Sequence, residues 1–165
     1  MALLHLIALI AALLSAGLMA GLFTGYSYSV MPGIKILDDR AWISALQHIN
    51  RVILNGRFMT AFLGSVVFAL AAVILGFFQD DRSALPWTIA GLVCNLVMFV
   101  GTIAKNVPLN DRLEAAGDPA AITDPAALRG EVEATWIQWN HVRGVAALLG
   151  LAALAGALYT TGLNA

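Results

Sequence analysis

Four long stretches without a charged side chain divide this chain, and nothing else in it constrains the fold as strongly. Residues 6–34 lie between His5 and Lys35, residues 58–79 between Arg57 and Asp80, and residues 83–104 between Arg82 and Lys105; residues 144–163 follow Arg143. Each is long enough for a helix to cross roughly 30 Å of hydrocarbon. A spanning backbone must satisfy its own hydrogen bonds, and barrel strands would show shorter, alternating runs. The expectation is therefore all-α: an integral membrane four-helix bundle formed by residues 1–165 as a single membrane domain, with spans over 6–34, 58–79, 83–104 and 144–163. The first stretch exceeds the apolar region of a signal peptide and lacks the basic start that such a peptide needs.

Composition removes the main alternatives. Of 165 residues, 60% are hydrophobic and 12% charged, about half the charge of an ordinary soluble domain. The single cysteine, Cys94, has no partner within the chain for a disulfide. A formal net charge of −1 gives no footprint for nucleic acid and no polybasic grip on anionic lipid.

The few charges predict an orientation. Four spans put both termini and the turn at 80–82 on one face and the two longer connections on the other. Lys35, Arg40, Arg51 and Arg57 fall in the first connection and Lys105, Arg112, Arg129 and Arg143 in the second, against Arg82 alone on the opposite face. The positive-inside rule then places both connections in the cytoplasm and both termini outside.

Both connections should be partly helical, each with an amphipathic helix. In the first, Asp38 and Asp39 offer N-caps, and Trp42, Ala45, Leu46, Ile49 and Ile53 recur at helical spacing, feeding directly into the second span. In the second, the run Asn106-Val107-Pro108-Leu109-Asn110 is expected to end the third span, because proline lacks an N–H and disfavours helix at the residue before it. Asn110 would then cap a short helix ending at Gly117. A loop over 118–125 and an amphipathic segment from about Ala126 would lead into the fourth span.

Polar residues that an anchor does not need collect near one end of the bundle. Trp136, Trp139, Asn140 and Arg143 share one helix side; His48, Arg51 and Asn55 have the same kind of spacing, with Asn50 nearby, and the third span contributes Asn106 and Asn110. Indoles, amides and guanidinium together suit an aromatic, oxygen-bearing small molecule, by stacking, hydrogen bonding and stabilisation of an enolate or phenolate. Plainer readings stand beside this one. Tryptophans at a membrane boundary serve as anchors, arginines such as Arg57 snorkel, and Asn55 and Asn110 sit where caps are expected. His141 is the best-placed group to take a proton near neutral pH. His48 and His141 are the residues through which a haem or copper alternative would work, although no HxxxH or HxxE spacing supports it. Asn95, in mid-span, calls for an interhelical hydrogen bond, and Gly17, Gly21 and Gly25 form a GxxxGxxxG stripe suited to packing within the bundle or to a seam between two copies.

Taken together, these residues resemble a family of small four-helix membrane proteins named for the anthrone oxygenases of polyketide pathways. The resemblance rests on Gly21 with the aromatic turn into Met31-Pro32-Gly33, on Ile49-Asn50-Arg51 with Asn55 and Phe58, on Thr102 with Asn106-Val107-Pro108-Leu109-Asn110, and on Trp136 with Trp139-Asn140-His141-Val142-Arg143. It implies an oxidoreductase that converts an anthrone methylene to a quinone carbonyl with dioxygen and without flavin, haem or metal, in a bacterial inner membrane. On that footing the catalytic set is His141 as base with Arg143 and Arg51 as anion stabilisers. Asn50, Asn55, Asn106, Asn110 and Asn140 would bind substrate oxygens between Trp136 and Trp139. The implied partners are a lipophilic aromatic molecule, dioxygen and membrane lipid. A competing reading is a non-catalytic membrane module that binds a lipophilic small molecule or a partner protein.

Overall fold

A computed structural model of the chain describes residues 2–163, which contain helices and turns and no strand. Five helices follow one another: α1 (Ala2–Lys35), α2 (Asp39–Ile53), α3 (Gly56–Gly76), α4 (Leu85–Ala115) and α5 (Pro125–Leu163). A single 3₁₀ turn, Pro119–Ala121, lies between α4 and α5. Helices α1, α3, α4 and α5 are each long and apolar enough to cross a membrane. α1 packs on α3 and α5, and α4 packs on the same two helices, so the four close into a bundle.

Small residues set the packing at the end near the termini. Ala8, Ala12 and Ala16 of α1 meet Ala69 and Ala72 of α3 and Leu154 and Ala157 of α5. Lipid tails are as apolar as leucine, so close backbone approach and dispersion, not exclusion from water, hold such helices together. Gly150 marks how close the approach is: a Cβ there would lie 2.9 Å from Oδ1 of Asn95. Asn95 is fully buried and donates through Nδ2 to the Ser65 carbonyl at 2.9 Å, tying α4 to α3 as its mid-span position requires. Within the glycine stripe, Gly17 lies against Leu151 of α5, whereas Gly21 and Gly25 face outward with no atom near a would-be Cβ.

The connections depart from expectation in two places. α2 begins as anticipated, with Asp38 accepting from the Ala41 N–H, and buries Trp42, Ile43 and Leu46 against Leu113, Leu128 and Val132. It does not feed directly into the second span. The chain breaks at Leu54 and restarts at Asn55, whose Oδ1 accepts from the N–H groups of Arg57 and Phe58. The larger correction concerns Pro108, which does not end the third span. α4 runs through it to Ala115, because a π turn at Thr102–Asn106 comes immediately before, with the Val107 N–H bonded to the carbonyl of Thr102 five residues earlier. That wider turn reshuffles the carbonyl partners just where proline has no N–H to give and its ring would crowd the preceding turn. α1 solves the same problem in the same way, with a π turn at Tyr26–Val30 ahead of Pro32. Asn110 therefore lies inside a helix and caps nothing, while Gly117, at φ 72°, does lie just past the helix end as anticipated. The amphipathic parts of the second connection are extensions of the third and fourth spans.

Candidate functional site

At the end of the bundle nearest the long connections, all five helices line one cleft of about 70 Å³. α1 supplies Phe23 and Tyr26; α2 and the break after it supply Asn50, Ile53 and Leu54; α3 supplies Phe58. Thr102, Val107 and Asn110 come from α4, and Trp136, Asn140 and Arg143 from α5. The π turns are part of its construction. Tyr26 opens one and Thr102 opens the other, and each stands six residues before its proline.

Arg143 dominates the electrostatics. Its side chain is buried, and its guanidinium lies 4.5 Å from the centre of the Phe23 ring and 5.5 Å from that of Trp136. Nη2 donates to Oδ1 of Asn140 at 3.0 Å and Nη1 reaches Oγ1 of Thr102 at 3.4 Å, while Nε has no partner among the described residues. Among those residues no carboxylate approaches the guanidinium within 4 Å; the chain's ion pairs use Arg51, Arg112 and Arg129 instead. Burying an ion costs several kcal/mol, and contact with aromatic faces returns only about 2 kcal/mol. The cleft wall thus carries positive charge that the protein leaves unneutralised.

Hydrogen bonds hold the surrounding polar groups in fixed orientations. Nδ2 of Asn140 donates to Oγ of Ser27 at 2.8 Å and to the Phe23 carbonyl at 3.1 Å, which turns its oxygen toward Arg143. Nε1 of Trp136 donates to Oδ1 of Asn110 at 2.8 Å, and the Trp136 ring sits 5.9 Å from that of Tyr26. Trp136 is buried, so it forms a wall of the cleft and not an interfacial anchor. Asn50 lines the same space, and its Nδ2 is buried with no partner among the described residues.

The structure gathers Asn50, Asn110, Trp136, Asn140 and Arg143 around the cleft and places the other expected residues elsewhere. Asn106 is fully buried and donates to the carbonyl of Trp136 at 3.2 Å. Asn55 is occupied as the cap of α3. Arg51 is exposed and clasped by both carboxylate oxygens of Glu114, at 2.7 to 3.0 Å, which holds its guanidinium pKa above the usual arginine range. Trp139 leans on Gly101, beneath the ammonium of Lys105 at 5.5 Å, and lines a groove outside the bundle. His141 is exposed beside Val142 and Val145, with Nδ1 at 2.8 Å from the Ile137 carbonyl; His48 is exposed too, with Nδ1 at 2.9 Å from the Ser44 carbonyl. No group of three or more His, Cys, Asp or Glu side chains gathers as a metal site among the described residues.

Phe23, Tyr26, Phe58 and Thr102 escape the sequence reading as site residues because inside a span they look like any apolar or small residue. A signal was present all the same. Phe23, Tyr26 and Ser27 are three and four apart, on one face of α1, and the six-residue interval to proline is common to Tyr26 and Thr102.

The family model for anthrone oxygenases matches residues 58–153, more than half of the chain. The chain belongs to the anthrone oxygenase family. No curated protein and no solved structure matches it. Within the matched segment of this anthrone oxygenase family member lie Phe58, Thr102, Val107, Asn110, Trp136, Asn140 and Arg143, while Phe23, Tyr26 and Asn50 complete the cleft from outside it.

Proposed function

We propose that the protein is a membrane-embedded oxygenase that binds an anthrone-like aromatic molecule in the cleft and oxidises it with dioxygen, without an organic cofactor or metal. The observation that carries this reading is the buried guanidinium of Arg143, framed by aromatic faces and left without a counter-ion. Such a group stabilises an oxyanion most where water is excluded. An anthrone acquires an oxyanion on losing a methylene proton. The resulting anthranolate passes one electron to dioxygen, the two radicals combine at the methylene carbon, and the peroxide takes up a proton. Loss of water then leaves the quinone carbonyl, so one anthrone and one dioxygen give one quinone and one water.

In this reading Arg143 stabilises the anthranolate oxygen, Asn140 holds Arg143 in place, Asn50 and Asn110 orient further oxygens, and Trp136, Tyr26 and Phe23 form the walls. Among the described residues neither a carboxylate nor a histidine lines the cleft. The methylene proton therefore leaves to water at its mouth, drawn by the lowered proton affinity of a substrate next to a cation. His141 and Arg51 have no part in this scheme. The cleft lies at the end of the bundle that holds eight of the nine cations, which on the positive-inside rule would be the cytoplasmic one.

The test is oxygen uptake and quinone formation by purified protein given a panel of anthrones in air and under nitrogen, with Arg143→Ala alongside. Uptake above background that disappears in the variant supports the reading. Binding without turnover would make the protein a non-catalytic module for lipophilic aromatics, and a Soret band or stoichiometric copper would replace the scheme with a metal-dependent one.

A further inference from the structure

The cleft of about 70 Å³ admits three fused rings only when part of its wall moves aside, and a much larger apolar space lies against that wall. A groove of about 460 Å³ runs along the outer side of the bundle, lined by Val93, Val97 and Val100 of α4 and ending at Gly101, Lys105 and Trp139. Gly101 belongs to this groove and Thr102, the next residue, belongs to the cleft. Trp139 and Arg143, one turn apart on α5, both rest on Gly101: a Cβ there would lie 3.4 Å from the indole and 3.8 Å from Cγ of Arg143. The indole thus closes the groove at the point where the buried guanidinium begins. Above it sits the ammonium of Lys105, 5.5 Å from the ring centre.

We infer that this groove is a membrane-side docking site for the aromatic substrate, and that Trp139, swinging off Gly101, is the gate between it and Arg143. The occupant is a flat, lipophilic weak acid, the class of molecule assigned to the cleft, so the inference rests on that reading. The complementarity is twofold. The valine-lined floor takes an apolar ring system delivered from the hydrocarbon, and Lys105 attracts a phenol or phenolate oxygen at its end while the indole offers a stacking face. Glycine at 101 keeps both the indole and the guanidinium stem close to the α4 backbone, leaving the indole as the movable part of the wall. The groove also gives Trp139 and Lys105 a use that the cleft does not.

The experiment uses the full chain in phosphatidylcholine vesicles, with Cys94→Ser to remove the native thiol and Val97→Cys to place a reporter on the groove floor. Alkylation of that thiol by a membrane-permeant maleimide is followed with and without a dihydroxyanthraquinone as probe. The expected result is that the probe slows labelling, that Lys105→Ala raises the probe concentration needed about tenfold, and that Arg143→Ala leaves protection intact while abolishing turnover. Labelling that the probe does not slow would overturn the inference, as would equal protection by a long-chain fatty acid, which would make the groove a seat for lipid. Protection that survives together with undiminished turnover in Arg143→Ala would instead refute the cleft reading and leave the groove standing.

Discussion

Asn95 and Arg143 are both polar, both buried and both on membrane-spanning helices, yet their surroundings are opposite. Asn95 sits in the half of the bundle where alanines and glycines bring the helices together, donates to the Ser65 carbonyl and leaves no room for a Cβ on Gly150. Nothing but protein fits beside it. Arg143 lines a cleft with four aromatic residues and the first residues of two π turns, its neighbours supply one firm hydrogen bond and one long one, and its charge has no counter-ion among the described residues. An amide whose Nδ2 ties two helices in a close-packed seam, with its Oδ1 unpaired among the described residues but neutral, is a structural fastener. An uncompensated guanidinium on the wall of a cleft is a cost to stability that only binding or catalysis explains.

Substitution should separate the two roles cleanly. The largest effect is expected for Arg143→Met, which keeps length and removes charge: turnover should fall by about 10²-fold or more, while the thermal midpoint in detergent stays level or rises because a buried unpaired charge is gone. A loss of stability with activity per folded molecule retained would turn the comparison around. Gly150→Val should do the reverse. Its side chain would run into Asn95 and Cys94, and overpacking of this kind costs about 1–3 kcal/mol, measurable as a lowered midpoint with unchanged turnover per folded molecule. Asn95→Ala comes third: loss of one interhelical hydrogen bond in a membrane is worth about 0.6 kcal/mol, and quinone formation should not change.

The same contrast explains what could be read from the sequence. The four spans follow from uncharged length alone, and Asn95 and the Trp136–Arg143 face stand out because polarity in an apolar run is conspicuous. Pro108 misleads because a local rule, that proline ends a helix, is overridden by the π turn before it, and with the span extended Asn110 becomes a partner for Trp136 instead of a cap. His141, two positions and so about 200° from Arg143, looks away from the cleft, whereas Trp139, one turn from Arg143, lies on the edge of the same face and only its packing on Gly101 puts it outside. Phe23 and Tyr26 carry no contrast with their surroundings and become site residues only when α1 is placed against α5.

The smallest expected effect bears most directly on that last point, because Arg51 and Arg143 are equivalent by sequence criteria: each lies near a span boundary, close to asparagine, in a connection rich in cations. Geometry makes them different, since Arg51 is exposed and neutralised by Glu114 on α4, and exposed pairs contribute little. Arg51→Ala should therefore leave both turnover and the thermal midpoint essentially unchanged, with any residual shift vanishing as salt is raised. Glu114→Ala should match it, because freeing Arg51 from its partner does not bring it to the cleft. If either substitution lowered quinone formation as Arg143→Met does, the pair would be a latch through which α2 closes over the site, and the charge that matters would be shared between two helices instead of residing on α5.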